Sequence, residues 1–172
     1  LNFVLLLSAF LGALGCDRLA RECGSSPRGA LLAGIVGGLS GPRLARLTQA
    51  HLATLHFVPW SLAFGVRYLR EGRRRDLLIA LALFTLQALT SGHGGLFLAL
   101  ALTLLFGEAI LVSRLSLARA LRDCGVAGLL LLAVNVPFVI PYYQVRQTVG
   151  LTRVIEDAEG YAPSLDSWLQ AP

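Results

Sequence analysis

The chain has 172 residues, of which 55% are hydrophobic and only 15% charged, and its mean hydropathy is +0.67. Because a soluble domain carries about 25% charged residues, this balance excludes a soluble globular protein, a disordered chain and a nucleic-acid-binding module. The net charge of +5 arises from arginine without lysine, in short clusters between apolar runs, which is the pattern of a membrane topology signal. Since it lacks methionine and opens on Leu1, the sequence is expected to be an internal fragment.

Stretches without charged residues predict an all-α fold, a polytopic transmembrane helix bundle of about six spans. Each crossing needs about 20 apolar residues. The predicted spans cover residues 1–16, 29–42, 48–66, 76–91, 95–113 and 124–143. The remaining residues, 144–172, are predicted to begin an external loop or domain.

Glycines shape two of these spans. The charge-free run 77–107 is too long for one helix, and the glycines on both sides of His93 predict a turn there and hence a helical hairpin. The predicted span 29–42 is short and rich in glycine, which suits close helix contact or a bent segment covered by protein. Three polar residues near the hairpin turn are predicted to link neighbouring helices: Gln87, Thr90 and Ser91.

The arginines fall unequally on the two sides of the predicted bundle. If all six spans cross, one side receives eleven of them: Arg18, Arg21, Arg28, Arg67, Arg70, Arg73, Arg74, Arg75, Arg114, Arg119 and Arg122. The other side receives four: Arg43, Arg46, Arg146 and Arg153. The richer side is expected to be cytoplasmic, so the sequence predicts a multi-pass protein of the inner membrane. Cys16, Cys23 and Cys124 fall on that side, where thiols stay reduced.

The arginine-poor side gathers the histidines and a few isolated cations. Arg43 precedes the third span, and His51 lies at its start. His93 sits at the hairpin turn, and Arg146 follows the sixth span. Because arginine forks match phosphate geometry, these four residues are the predicted phosphate-binding set. The alternatives are that the arginines face lipid headgroups and that the histidines cap helices or bond to loop backbone.

No metal and no cofactor are expected. His51 and His56 are five residues apart, so they do not share a helix face as an i, i+4 metal pair would. Glu108, inside the fifth predicted span, is a candidate functional acid by its position. Pairing with Arg67 or Arg70 near the cytoplasmic side is the favoured explanation for it.

Two further segments leave alternatives open. The run Arg67–Asp76 is predicted to be a cytoplasmic turn, which either acts only in topology or contacts anionic lipid. Asn135, Pro137 and Pro141 predict a bent sixth span whose freed backbone groups line a cavity.

Three stretches carry a resemblance to a known group of proteins. They are Gly41-Pro42-Arg43-Leu44-Ala45-Arg46-Leu47 with Gln49-Ala50-His51-Leu52 and Val58-Pro59, then Leu86-Gln87-Ala88-Leu89-Thr90-Ser91-Gly92-His93-Gly94-Gly95-Leu96-Phe97, then Tyr161-Ala162-Pro163-Ser164-Leu165-Asp166-Ser167-Trp168-Leu169. The pattern resembles the GT-C superfamily of bacterial polytopic membrane glycosyltransferases, near its YfhO-like branch.

The resemblance implies an enzyme that takes a sugar from a polyprenyl-phosphate donor and passes it to an acceptor on the outer face of the membrane. It places the catalytic acid in an external loop ahead of the first span, so no catalytic residue is assigned in this chain. Arg43, His51, His93 and Arg146 would then neutralise the phosphate leaving group. The expected partners are membrane lipid and the lipid-linked donor, with no nucleic acid.

Two other functions remain open at this point. A transporter or flippase of lipid-linked glycans would use the bent segments 29–42 and 124–141 as a path. A non-catalytic membrane scaffold would lack the acid in the external loop. The sequence leaves the sugar, the acceptor and the oligomeric state open.

Overall fold

A computed structural model gives the fold and describes residues 2–40, 53–112 and 115–149. Within those residues the chain forms helices and no strand: α1 (Asn2–Glu22), α2 (Pro27–Gly38), α3 (Phe57–Glu71), α4 (Arg74–Thr90), α5 (Gly92–Leu111) and α6 (Leu117–Val149). The prediction of an all-α fold is therefore confirmed. The chain divides into two compact units, Leu1–Asn135 and Val136–Pro172, and the boundary falls inside α6.

Local sequence signals set several helix ends. Ser26 caps α2, because its Oγ accepts the N–H of Gly29 at 3.2 Å, and Pro27 occupies the first helical position, where its missing N–H does no harm. At the end of α3, Gly72 adopts a φ of 69°, and its N–H bonds to the carbonyl of Tyr68. This left-handed residue is the common glycine stop of a helix.

Small residues let α1 and α2 pack at close range. Ala30, Gly34 and Gly38 are buried at every fourth position of α2. A Cβ atom on Gly34 would lie 2.9 Å from the carbonyl oxygen of Ala13, and one on Gly38 would lie 2.7 Å from Ala13 Cβ. This spacing is typical of closely packed membrane helices, and it confirms close helix contact for the glycines of the predicted span 29–42. With 12 residues, α2 is about 18 Å long, shorter than the roughly 30 Å hydrocarbon core.

The predicted third span, 48–66, is interrupted before α3. The residues directly ahead of Phe57 are not helical, and Pro59 lies in the first turn of α3, where a proline is tolerated. Gln87 of α4 accepts the N–H of Phe57 at 3.3 Å and donates to the carbonyl of Thr54 at 2.9 Å. A side chain of another helix thus replaces helical bonds that are missing at the break.

The helices α4 and α5 form the predicted hairpin, but the connection is tighter than predicted. Only Ser91 separates them, and its Oγ accepts the N–H of Gly94 at 3.1 Å as the cap of α5. His93 therefore lies in the first turn of α5, which corrects the prediction of a turn at this residue. A Cβ atom on Gly95 would lie 2.8 Å from Cα of Ala88, so this glycine serves the close approach of two helices.

The unit Leu1–Asn135 has two chemically different ends. Ser8 of α1 contacts His56 at the start of α3, and further along both helices Glu22 contacts Arg70, so α1 and α3 run in the same direction. We call the end that holds Ser8, Thr54, His56, Gln87, Ser91 and His93 the histidine end. The arginine end holds Arg18, Arg21, Arg67, Arg70, Arg73, Arg74, Arg119 and Arg122.

Among the described residues, two helices are long and apolar enough to cross a membrane. They are Phe3–Glu22 of α1 and Gly92–Leu111 of α5, with mean hydropathies of 1.7 and 2.0. Their large apolar side chains are extensively exposed, as at Phe3 (76%) and Leu111 (85%). A soluble core helix would bury such side chains, so this exposure agrees with an apolar environment around both helices.

The helix α6 is longer than the predicted span 124–143. It has 33 residues and continues through Pro137 and Pro141 to Val149. The first residues of the predicted external segment 144–172 are therefore helical, and residues 150–172 lie outside the described residues.

Candidate functional site

The four predicted phosphate-binding residues are only partly described by the structure. Arg43 and His51 lie outside the described residues, and so does the side chain of Arg146. His93 lies in the first turn of α5 with an exposed side chain. The grouping of these four residues stays a prediction.

Gln87 is the centre of the polar groups at the histidine end. Its side chain is completely buried (0% exposed), and both its oxygen and its nitrogen form hydrogen bonds to the backbone around the start of α3. The predicted linking role is confirmed for Gln87 and wrong for Thr90, whose hydroxyl donates to Leu86 of its own helix. A buried amide that bonds through both its oxygen and its nitrogen fixes the geometry of this end, and its burial keeps it from an exposed ligand.

Ser8 and His56 join α1 to α3 at the same end. Their Oγ and Nδ1 atoms are 2.9 Å apart, and one turn further along Trp60 donates its indole N–H to the carbonyl of Leu11 at 2.9 Å. A serine bonded to a histidine is the geometry of an activated nucleophile, but Ser8 is only 2% exposed. The pair is therefore a link between helices. Sequence reasoning missed Ser8, whose signal is a lone hydroxyl within an apolar helix.

An ion-pair network joins α1 to α3 at the arginine end. The buried carboxylate of Glu22 lies 2.5 Å from Arg18 and 2.6 Å from Arg70. Arg70 also contacts Glu71 at 3.2 Å. The hydrogen bond from Arg70 lowers the pKa of Glu71. The pKa of Arg70 is raised, mainly by its hydrogen bond to Glu71 and secondly by the negative charge of Glu22. Arg70 and Glu71 therefore stay charged near neutral pH, and the contact of Arg70 with Glu22 holds the ends of α1 and α3 together.

A second cluster surrounds Asp123 near the start of α6. Asp123 is buried, with 8% of the residue exposed, and its carboxylate lies within ion-pair distance of Arg74, Arg119 and Arg122. The pKa of Asp123 is lowered, and the hydrogen bond from Arg122 is the largest cause. Burial acts in the opposite direction and raises this pKa, whereas the hydrogen bond from Tyr68 lowers it further. Sequence reasoning did not single out Asp123, although its i, i+4 spacing from Arg119 was the available signal.

Glu108 borders a cavity instead of pairing with an arginine. Among the described residues its carboxylate forms no ion pair, since Arg67 contacts Glu71 and Asp76 and Arg70 contacts Glu22 and Glu71. The predicted pairing with Arg67 or Arg70 is therefore wrong. The cavity has a volume of about 500 Å³ and lies between α1, α3 and α5. Its lining comprises Glu22, Cys23, Val66, Leu69, Arg70, Leu105, Glu108 and Ala109.

Comparison with known proteins does not assign the chain to a family. No family model matches the chain, and neither a curated protein nor a solved structure matches it significantly. Within residues 2–40, 53–112 and 115–149, no three His, Cys, Asp or Glu side chains are grouped so that they could hold a metal ion.

Proposed function

We propose that this chain belongs to a multi-pass protein of the bacterial inner membrane that transfers a sugar from a polyprenyl-phosphate donor on the outer face. The observation that carries the proposal is the separation of charge between the two ends: arginines crowd one end, and His56 and His93 lie at the other. By the positive-inside rule the arginine end faces the cytoplasm. The histidine end then faces the compartment in which lipid-linked sugars are used.

The chemistry requires stabilisation of a departing phosphate. An acceptor hydroxyl attacks the anomeric carbon, the bond from that carbon to the phosphate oxygen breaks, and its electron pair stays on the phosphate. The acceptor proton passes to an acid of the external loop that the resemblance implies. Arg43, His51, His93 and Arg146 would neutralise the new charge. The N-terminal end of α5, next to His93, adds a partial positive charge there.

The hydrophobic part of such a donor needs an apolar surface. Exposed side chains on α5, among them Leu96, Phe97 and Leu100, begin directly beside His93 at the histidine end. A phosphate held near His93 would thus leave its prenyl chain beside these residues. This arrangement supports a lipid-linked donor over a soluble nucleotide sugar.

The test is sugar transfer in membranes that contain the full-length protein. We expect Arg43→Gln and His93→Gln each to lower transfer from a labelled polyprenyl-phosphate sugar by about 100-fold, the effect of removing one stabilising donor of a developing oxyanion. Arg28→Gln is the matched control, because Arg28 is an exposed arginine at the other end. Unchanged transfer in both variants would rule out the proposed roles and favour a transporter or a scaffold.

A further inference from the structure

The cluster around Asp123 has more positive charge than its own carboxylate neutralises. The Nε atom of Arg122 donates to Oδ1 of Asp123 at 3.0 Å. The Nε atom of Arg74 lies 3.4 Å from the same oxygen, and that of Arg119 lies 3.6 Å from Oδ2. Three guanidinium groups therefore meet one carboxylate, and the excess charge is held at fixed positions by a buried anchor.

The guanidinium groups keep hydrogen-bond donors for a ligand. Each approaches Asp123 through its Nε edge, and Arg119 uses one terminal nitrogen on the carbonyl of Gly72 at 2.8 Å. Among the described residues, no acceptor other than Asp123 contacts the guanidinium of Arg74 or Arg122, and both side chains are largely exposed. Terminal guanidinium nitrogens present paired N–H donors that match the oxygens of a phosphate.

Apolar side chains continue from the cluster along the same helix faces. Leu78 lies one turn beyond Arg74 on α4, and Leu129 lies two turns beyond Arg122 on α6; both are exposed. Residues at these spacings share a helix face. A basic group above an exposed apolar stripe is the arrangement that a phospholipid needs, because its phosphate and its acyl chains bind side by side.

We propose that Arg74, Arg119 and Arg122 form a binding site for the phosphate of an anionic phospholipid in the leaflet next to the arginine end. The site differs from the predicted sugar-donor site, which lies at the histidine end. It depends on the membrane location of the helices and is independent of sugar transfer, so either proposal can fail without the other. Bound lipid would fasten the α4 and α6 ends to the membrane surface.

The experiment measures lipid binding to the purified full-length protein in a neutral detergent by native mass spectrometry. Dioctanoyl phosphatidylglycerol is the anionic probe, and dioctanoyl phosphatidylcholine and inorganic phosphate are the comparison ligands. We expect phosphatidylglycerol to bind at least about fivefold more tightly than phosphatidylcholine. Each arginine near a membrane surface contributes about a fivefold factor, so the double variant Arg74→Gln/Arg122→Gln should bind about 25-fold more weakly.

Arg28→Gln is the matched control for diffuse charge, since Arg28 is exposed at the same end but lies outside the cluster. We expect it to change binding less than about twofold. Should the double variant not fold, Arg74→Gln alone leaves Asp123 bonded to Arg122 and Tyr68 and should weaken binding about fivefold. Equal losses in the cluster and control variants, equal binding of the two lipids, or full competition by inorganic phosphate would each overturn the proposal.

Discussion

The Tyr68 hydroxyl donates a hydrogen bond to Oδ2 of Asp123 at 2.9 Å and thereby ties α3 to the start of α6. Both residues are buried, and the guanidinium of Arg119 lies 5.9 Å from the centre of the Tyr68 ring. The carboxylate thus receives a neutral donor from within the bundle and charged donors from its surface. The stability of this helix junction depends on Asp123 remaining ionised.

The junction should therefore respond to acid. The folded-state pKa of Asp123 lies below its ordinary value of 3.8 because of Arg122 first and Tyr68 second. A carboxyl group with a lowered pKa stabilises the fold above the unfolded pKa, and this stabilisation is lost as the pH falls through the folded pKa. We expect the contribution of Asp123 to the thermal unfolding midpoint in detergent to be independent of pH near pH 7 and to be lost as the pH falls below 3.8.

The matched variants for this prediction are Asp123→Asn and Tyr68→Phe. The first removes the titrating group, so its midpoint should be lower near neutral pH and should fall less steeply in acid. The second removes one donor to the carboxylate, which raises the pKa of Asp123 and moves the acid-induced fall to higher pH. Parallel acid profiles for the wild type and Asp123→Asn would contradict the prediction.

Gly95 should tolerate no side chain where α5 meets α4. In Gly95→Ala the new methyl group would lie 2.8 Å from Cα of Ala88, so the helices must separate. We expect a loss of about 1–3 kcal/mol in the free energy of unfolding, measured by denaturant unfolding in mixed micelles. Gly107→Ala on the same helix is the control, because nothing lies within 4 Å of its new methyl group. That variant should be neutral or more stable by up to about 1 kcal/mol, and equal losses in both would refute the close contact.

Gln87→Leu should destabilise the break ahead of α3. It removes the donor to the carbonyl of Thr54 and the acceptor of the Phe57 N–H, and the loss of a hydrogen bond to a backbone group inside the protein costs about 1–3 kcal/mol. Thr90→Val on the same helix is a suitable comparison, because its exposed hydroxyl bonds only within α4; its effect should stay within about 0.5 kcal/mol. Thermal unfolding of both variants in one detergent checks the difference.

Sequence reasoning recovered the features that depend on composition and local spacing. The helical fold, the close packing of the glycines in α2 and the crowding of arginine at one end follow from apolar runs, small-residue spacing and charge clusters. The position at which α3 starts could not be predicted from the sequence. Hydropathy does not reveal that Gln87, 30 residues beyond Phe57, supplies the hydrogen bonds at the break. The same limit hid the contact of Tyr68 with Asp123, which are 55 residues apart.

The orientation of the bundle is open to chemical labelling of single cysteines. Cys23 is exposed at the arginine end, so a variant that keeps only this thiol should resist an impermeant maleimide in intact cells and react after permeabilisation. His93→Cys in a background without other cysteines should react from outside, because residue 93 is exposed at the opposite end. The two thiols lie at opposite ends of the bundle, so opposite labelling results are expected for them. Poor reactivity of one thiol alone cannot produce both results. Reaction of Cys23 from outside would put the arginine end in the periplasm and remove the sugar-donor site from the compartment that holds its substrate.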